Sequence, residues 1–315
     1  MFADRMKRII GKYTQNIPGP LLIVICQMHG NEPAGKKALD YMFKMLEVEP
    51  ITNPDFIFKG TIVGMVGNLA ASKRKVRYLE KDLNRQWTKS NVNRILATEK
   101  SVLHGEDLEV RELYKTIKKE IVKSKADQVY ILDLHTTSSF GGIFTIPSDN
   151  DESVTVAAEL HAPVIKGMLN GIEGTLMHYF NTENIGTETM TIAFESGQHE
   201  EPLSVNRAIA AITNFMRSTG CVDAAHIENR HDQILQEFSK DLPKVCNLMS
   251  KYTVKDNSVF ELLPGFKNFQ KISKGQLLGK DASGELYAPS DGLILMPRYQ
   301  SQGDDGYFII QESSE

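Results

Sequence analysis

Cysteine is scarce in this sequence: among 315 residues only Cys26, Cys221 and Cys246 carry thiols. An odd number at wide spacing provides no disulfide framework. Free thiols fit a reducing cytosol, so a cytoplasmic location is expected. No CxxC pair occurs, so any zinc site has to use histidine and carboxylate instead. Long apolar runs are also lacking. The amino-terminal MFADRMKRIIGKYTQNIPG has no continuous apolar stretch of the kind a secretory signal needs. The run from Leu21 to Cys26 is too short to span a bilayer. Charge is close to balanced, at −4, with no long basic run. That argues against nucleic acid and against an anionic membrane as partners. No internal repeat or low-complexity tract is visible.

What is present suits a globular chain: 41% hydrophobic and 24% charged residues, enough for a substantial core. The length suggests one large domain, or one large and one small. Apolar runs alternate with helix-like stretches through the first two thirds, the pattern of an α/β domain. Strands are expected at Leu21–Cys26, Thr61–Val66, Gln128–Leu134 and Met190–Phe194. Helices are expected from Pro33 onward, over Glu106–Val122 and over Leu203–Met216. Near-continuous apolar strands imply a sheet covered by helices on both faces. After Ser239 the helical periodicity fades, and short apolar pieces punctuated by Gly, Pro and Asp take over. The expected division is an α/β domain over 1–225 and a small all-β domain over 240–315. KGQLLG and APSDGLIL in the latter resemble turns of barrel-sandwich domains, without an evident carrier lysine.

Each expected strand runs into polar residues: QMHGNE, GNLAASKRKVRYLEKDLNR, HTTSS and ESGQH. In open α/β sheets ligands bind beyond the carboxyl ends of the strands. His29 and Glu32 stand three residues apart at a strand-to-helix junction, where one short loop can aim both at one ion. Catalytic zinc typically takes three protein ligands, His₂Glu among the known sets, and keeps one position for water. His135, directly after VYILDL, supplies the third. Asp133, two residues earlier, points to the same side of a strand and is either an orienter of His135 or a buried capping group. His199 is close enough in sequence to Glu195 to line the cleft. The other five histidines lie in helix-like or linker contexts that suit surface or structural roles.

Glu195 follows MTIAF, and a carboxylate there can accept a proton from water at the metal and pass it to a leaving amine. The arginine fork of Arg85 with the neighbouring Asn84 amide suits a substrate carboxylate. Arg77 can polarise a carbonyl and stabilise an oxyanion. The lysines around it read as a solvated basic loop, and Trp87, the single tryptophan, as a packing residue.

HGNE, RYLEKDLNR, DLHTT and FESG, in that order, resemble the succinylglutamate desuccinylase and aspartoacylase family of zinc carboxypeptidase-like enzymes. The resemblance covers the first two thirds, and the β-rich tail fits it. It implies a mixed, mostly parallel sheet flanked by helices and one Zn²⁺ per chain on His29, Glu32 and His135. Arg77 would stabilise the oxyanion, Asn84 and Arg85 would hold a substrate carboxylate, and Glu195 would be the general acid and base. The implied reaction is hydrolysis of the amide of a small N-acyl amino acid. Tyr307 matches a tail tyrosine that helps close the pocket. One departure stands out. Aspartoacylase carries a further arginine ahead of its catalytic glutamate, and Ile185 stands at the corresponding place here, which argues against a dicarboxylic substrate. A peptide carboxypeptidase and a non-catalytic metal-binding protein are the alternatives. A homo-oligomer is left open, with the β-rich tail as interface or as a lid.

Overall fold

The structure is a computed structural model and describes residues 7–148, 150–226 and 230–313. Its strands run β1 (Ile9–Tyr13), β2 (Ile17–Cys26), β3 (Lys59–Val66), β4 (Gln128–Thr137), β5 (Phe144–Pro147), β6 (Val164–Lys166) and β7 (Glu188–Gln198). The carboxy-terminal part adds β8 (Val245–Thr253), β9 (Glu261–Leu262), β10 (Gln270–Ile272), β11 (Leu277–Asp281), β12 (Gly284–Tyr287), β13 (Gly292–Leu295) and β14 (Asp305–Glu312). One 11-stranded sheet has the order β1-β3-β2-β4-β7-β5-β6-β8-β14-β13-β10. Its centre, β3-β2-β4-β7, is parallel. β5 runs antiparallel to β7, and β14 and β13 form an antiparallel extension beyond β8. A separate 3-stranded sheet, β12-β11-β9, completes the tail. This is the mixed α/β architecture with carboxy-terminal antiparallel strands that the sequence suggested.

Alternate residues of each central strand feed opposite cores, as the period of two requires. Leu22, Val24 and Cys26 of β2 pack in one cluster, under the helices Ala34–Thr52 and Leu203–Ser218. Leu21, Ile23 and Ile25 pack in the other, against the helices Lys89–Ala97 and Gly105–Ser124. Burial on both faces is why these strands read as unbroken apolar runs. The helices expected from Pro33, over 106–122 and over 203–216 are found at these places, each slightly longer. β1, β5 and β6 escaped the sequence reading, because three to five residues carry too little periodicity. Among the described residues, no helix is long and apolar enough to cross a membrane.

The expected strands also stop short of the observed ones. β4 continues through His135 to Thr137, and β7 through Glu195 to Gln198. Pairing continues because β7 has a partner on each side. In this register His135 sits directly across from Glu195, and Asp133 across from Ala193. The turn that follows Glu195 is braced from behind. Gly197, at φ +116°, packs on Arg207, whose guanidinium makes a two-pronged ion pair with Glu201 at 2.7 and 2.8 Å. Arg207 is 1% exposed and stacks on the Phe238 ring. Removing one partner of such a pair strands the other charge in the interior. Glu201→Ala is therefore expected to cost about 3 kcal/mol in urea unfolding, and an unchanged midpoint would show that the pair braces nothing.

Candidate metal centre and its pocket

The loop after β2 has its shape imposed by close packing. At Gly30 a Cβ would stand 2.2 Å from the Ala71 carbonyl carbon and 2.3 Å from Ser72 N, so no side chain fits. The Gly30 amide donates to Arg77 O at 3.1 Å, which ties this loop to the segment carrying the arginines. The helix Ala34–Thr52 begins immediately after, with Pro33 at its N-cap. Between these two constraints His29 and Glu32 turn inward.

His29, Glu32 and His135 then converge, with one ligating atom from each within 4.8 Å of the others. Glu32 lies between the imidazoles: His29 Nδ1 is 2.7 Å from its Oε1, and His135 Nδ1 is 3.1 Å from its Oε2. The Thr136 amide donates to Oε2 as well, at 3.1 Å. The far side of each ring faces a carboxylate. His29 Nε2 is 3.2 Å from Asp82, and His135 Nε2 is 2.9 Å from Asp133. Carboxylates in that position orient metal-binding imidazoles and raise their basicity. Asp133 thus lies beside the His135 ring, the position that one of its two sequence readings requires. Asp82 had no role in that reading, although it opens the DLNR string.

The loop carrying Arg77 and Asp82 is held by a buried carboxylate on the helix Gly105–Ser124. Glu106, 0% exposed, accepts from the amides of Leu79, Glu80 and Lys81 and from the Asn68 side chain. Arg77 grips Asp82 through Nε and Nη2, at 3.1 and 2.9 Å, and lies 4.0 Å from Glu32. The chain Arg77–Asp82–His29–Glu32–His135–Asp133 is therefore continuous. Burial alone would neutralise Glu32, but the two imidazoles hold its carboxyl well below the usual range. Against the same burial cost, Arg77 and His29 keep Asp82 ionised, and Asp133 and Glu32 lift His135 well above an ordinary histidine. Glu195 differs. Burial outweighs its neighbours and pushes its carboxyl up to about 8.

A pocket opens over this chain. Asn84, Arg85, Arg77 and Glu195 all line it together with His29, Glu32 and His135. Glu195 Oε2 is buried there with no hydrogen-bond partner among the described residues. Asn84 Oδ1 accepts from the Leu176 amide at 3.0 Å, and Arg85 is paired with Asp305. Tyr307 is not among the lining residues. Its ring stacks on Tyr252 in the tail's own apolar cluster, while Asp305 and Phe308 of the same strand face the pocket. His199 is held by Thr136 and Gln300, and Trp87 is buried in the core. Met296, Arg298, Gln300 and Gly303 form a wall that no motif announced. Ile185 is buried in the core cluster, away from the pocket.

The donor set fits a divalent ion of borderline softness: two imidazoles and one ionised carboxylate, all at least nine-tenths buried, with both rings oriented from behind. Residues 18–219 match the family model described as the succinylglutamate desuccinylase/aspartoacylase catalytic domain. No curated protein matches the sequence. Solved structures that resemble the fold include succinylglutamate desuccinylase from Vibrio cholerae, at 16% identity and TM-score 0.60, covering 94% of this chain and 82% of that one. A succinylglutamate desuccinylase/aspartoacylase from Rhodobacter sphaeroides has 15% identity and TM-score 0.64, covering 95% and 87%. The product-bound ectoine utilization protein EutE from Ruegeria pomeroyi has 15% identity and TM-score 0.60, covering 94% and 86%.

The carboxylates behind the rings generate a prediction. Asp133→Asn is expected to weaken zinc retention by about 10–100-fold, read by equilibrium dialysis against a chelator. Unchanged retention would reduce Asp133 to a buried structural group.

Proposed function

The chain belongs to the succinylglutamate desuccinylase/aspartoacylase family, whose members are acyl-amino-acid deacylases, and on that premise we propose that it is a zinc-dependent hydrolase of the amide bond of a small N-acyl amino acid or related amide. The observation that carries the proposal is the buried His29–Glu32–His135 cluster with the unpartnered Glu195 carboxylate oxygen beside it in one pocket. The three unpaired cysteines are in keeping with a cytosolic site of action.

In this reading His29, Glu32 and His135 hold the zinc. The ion, when bound, supplies Lewis acidity toward the carbonyl and makes water acidic enough to attack near neutral pH. Glu195 accepts the proton of the attacking water on its free oxygen. As the carbon–oxygen bond forms and the carbon–nitrogen bond breaks, it returns that proton to the departing amine. A carboxyl destabilised by burial is suited to both halves of this transfer, because it holds a proton at neutral pH more readily than an exposed glutamate. Arg77, already desolvated and anchored by Asp82, offers positive charge to the developing oxyanion. Asn84 and Arg85 anchor the substrate carboxylate, with Asp305 displaced from Arg85 or sharing it.

Two features favour a small substrate over a peptide. The tail wall of Met296, Arg298 and Gln300 closes one side of the pocket. Gln300 also reaches Asn31 at 3.1 Å, which bridges that wall to the metal loop. The non-catalytic alternative is disfavoured because base, oxyanion donor and clamp are all at hand in the pocket.

Amine release from N-acyl amino acids by the zinc-loaded chain is expected, with loss on chelation. Release from peptides alone would move the reading to a carboxypeptidase. Glu195→Gln should retain zinc yet lose about 10²–10⁴-fold in kcat, and near-normal turnover by that variant would remove Glu195 from the role.

A further inference from the structure

We propose that the amino-acid part of the substrate carries an apolar side chain, seated on Ile146, Met168, Ile172, Met177, Ala193 and Phe308. The preferred substrates are then N-acylated hydrophobic amino acids. The inference rests on the hydrolytic reading above and specifies its substrate.

The sheet register builds the seat. Ala193 stands two residues before Glu195 on β7, hence on the same face, and Ile146 of β5 is its cross-strand partner. Met168, Ile172 and Met177 come from the segment after β6, and Phe308 from β14. All six line the pocket, and all six belong to one buried apolar cluster. The wall is thus the pocket-facing side of a packed apolar core, of the kind that takes apolar groups.

Its position identifies which half of the substrate it meets. The segment carrying Ile172 and Met177 is fastened to the carboxylate clamp: the Leu176 amide donates to Asn84 Oδ1 at 3.0 Å, and the Trp87 amide to Gly174 O at 2.9 Å. The apolar seat therefore adjoins the site proposed for the amino acid's own carboxylate. The acyl group then lies on the other side of the scissile bond.

Charge leads to the same conclusion. None of the six residues offers a cation to a second carboxylate. Of the pocket's arginines, Arg77 is engaged by Asp82, Arg85 is assigned to the amino acid's own carboxylate, and Arg298, held by Asn257 and the Gly303 carbonyl, belongs to the tail wall and not to the seat. The polar neighbours of Ala193 in the sheet are Asp133 opposite it and Glu195 beyond it, both acidic. A second carboxylate seated on these six residues would lose its water and find no donor among them.

The test uses the full zinc-loaded chain and two substrate series. One varies the amino acid under a constant acetyl group: leucine, methionine, phenylalanine, alanine, aspartate and glutamate. The other lengthens the acyl chain on a constant alanine. The leucine, methionine or phenylalanine substrate is expected to exceed the alanine and aspartate ones by at least ~10-fold in kcat/KM, the scale of selectivity an apolar pocket supplies. Calorimetric binding of free leucine over free aspartate should show the same order without turnover. A preference for aspartate or glutamate, or one that follows acyl length alone, would overturn the inference and leave the deacylase reading standing. No hydrolysis in either series would remove both. Ile172→Arg is expected to invert the leucine-to-aspartate preference. Should that variant fail to fold, Met177→Ala enlarges the same seat and should raise phenylalanine relative to leucine; an unchanged ratio would show that the side chain sits elsewhere.

Discussion

The site depends on a carboxylate that is almost fully withdrawn from water. Glu32 is 2% exposed, and it is held there by two imidazoles and the Thr136 amide. A buried charge without such partners would neutralise or unfold its surroundings. The rings that satisfy Glu32 are themselves backed by Asp82 and Asp133, and Asp82 is balanced in turn by Arg77. Each member makes the next affordable only if all are present. Such a network is demanding to build, and it brings one potential ligand atom from each of His29, Glu32 and His135 within 4.8 Å of the others.

Much of the remaining fold keeps that network in place. Gly30 lets the metal loop press against the backbone at Ala71, where any side chain would collide. Glu106 gathers three successive amides of the Arg77 loop. Arg207 and Glu201 brace the turn beyond Glu195. These residues touch no proposed substrate. They convert helix and strand positions into side-chain positions at the pocket, which is how a scaffold preorganises a site.

The pocket joins two kinds of surface. One side carries charge: the His29–Glu32–His135 cluster, Arg77 and Arg85. The other is the face of an apolar core assembled from β5, β7, β14 and the segment after β6. Charged groups can position polar parts of a ligand, whereas an apolar face favours apolar ones. Glu195 stands where the two surfaces meet. Its raised proton affinity is a consequence of that border, since the apolar side desolvates it and the acidic side repels its charge.

The candidate site was legible in the sequence because its residues lie in short local strings. HGNE places an imidazole and a carboxylate on one loop by covalent spacing alone. The apolar runs before HGNE, HTT and ESG announced the central strands, since both faces of those strands are buried. The absence of CxxC pairs restricted the ligand chemistry before any fold was known. Tertiary structure decided what depends on residues distant along the chain. Asp82 faces His29 across 53 positions, and Asp305 reaches Arg85 across 220. Tyr307 was assigned to the pocket by resemblance, but a register irregularity between Asp305 and Tyr307 breaks the alternation of the strand, and its ring falls on the Tyr252 side while Asp305 and Phe308 line the pocket. The apolar seat had no motif at all, because six residues from four separate segments compose it. Local spacing specifies which groups are available for chemistry, and only the packing of strands and loops specifies what surrounds them.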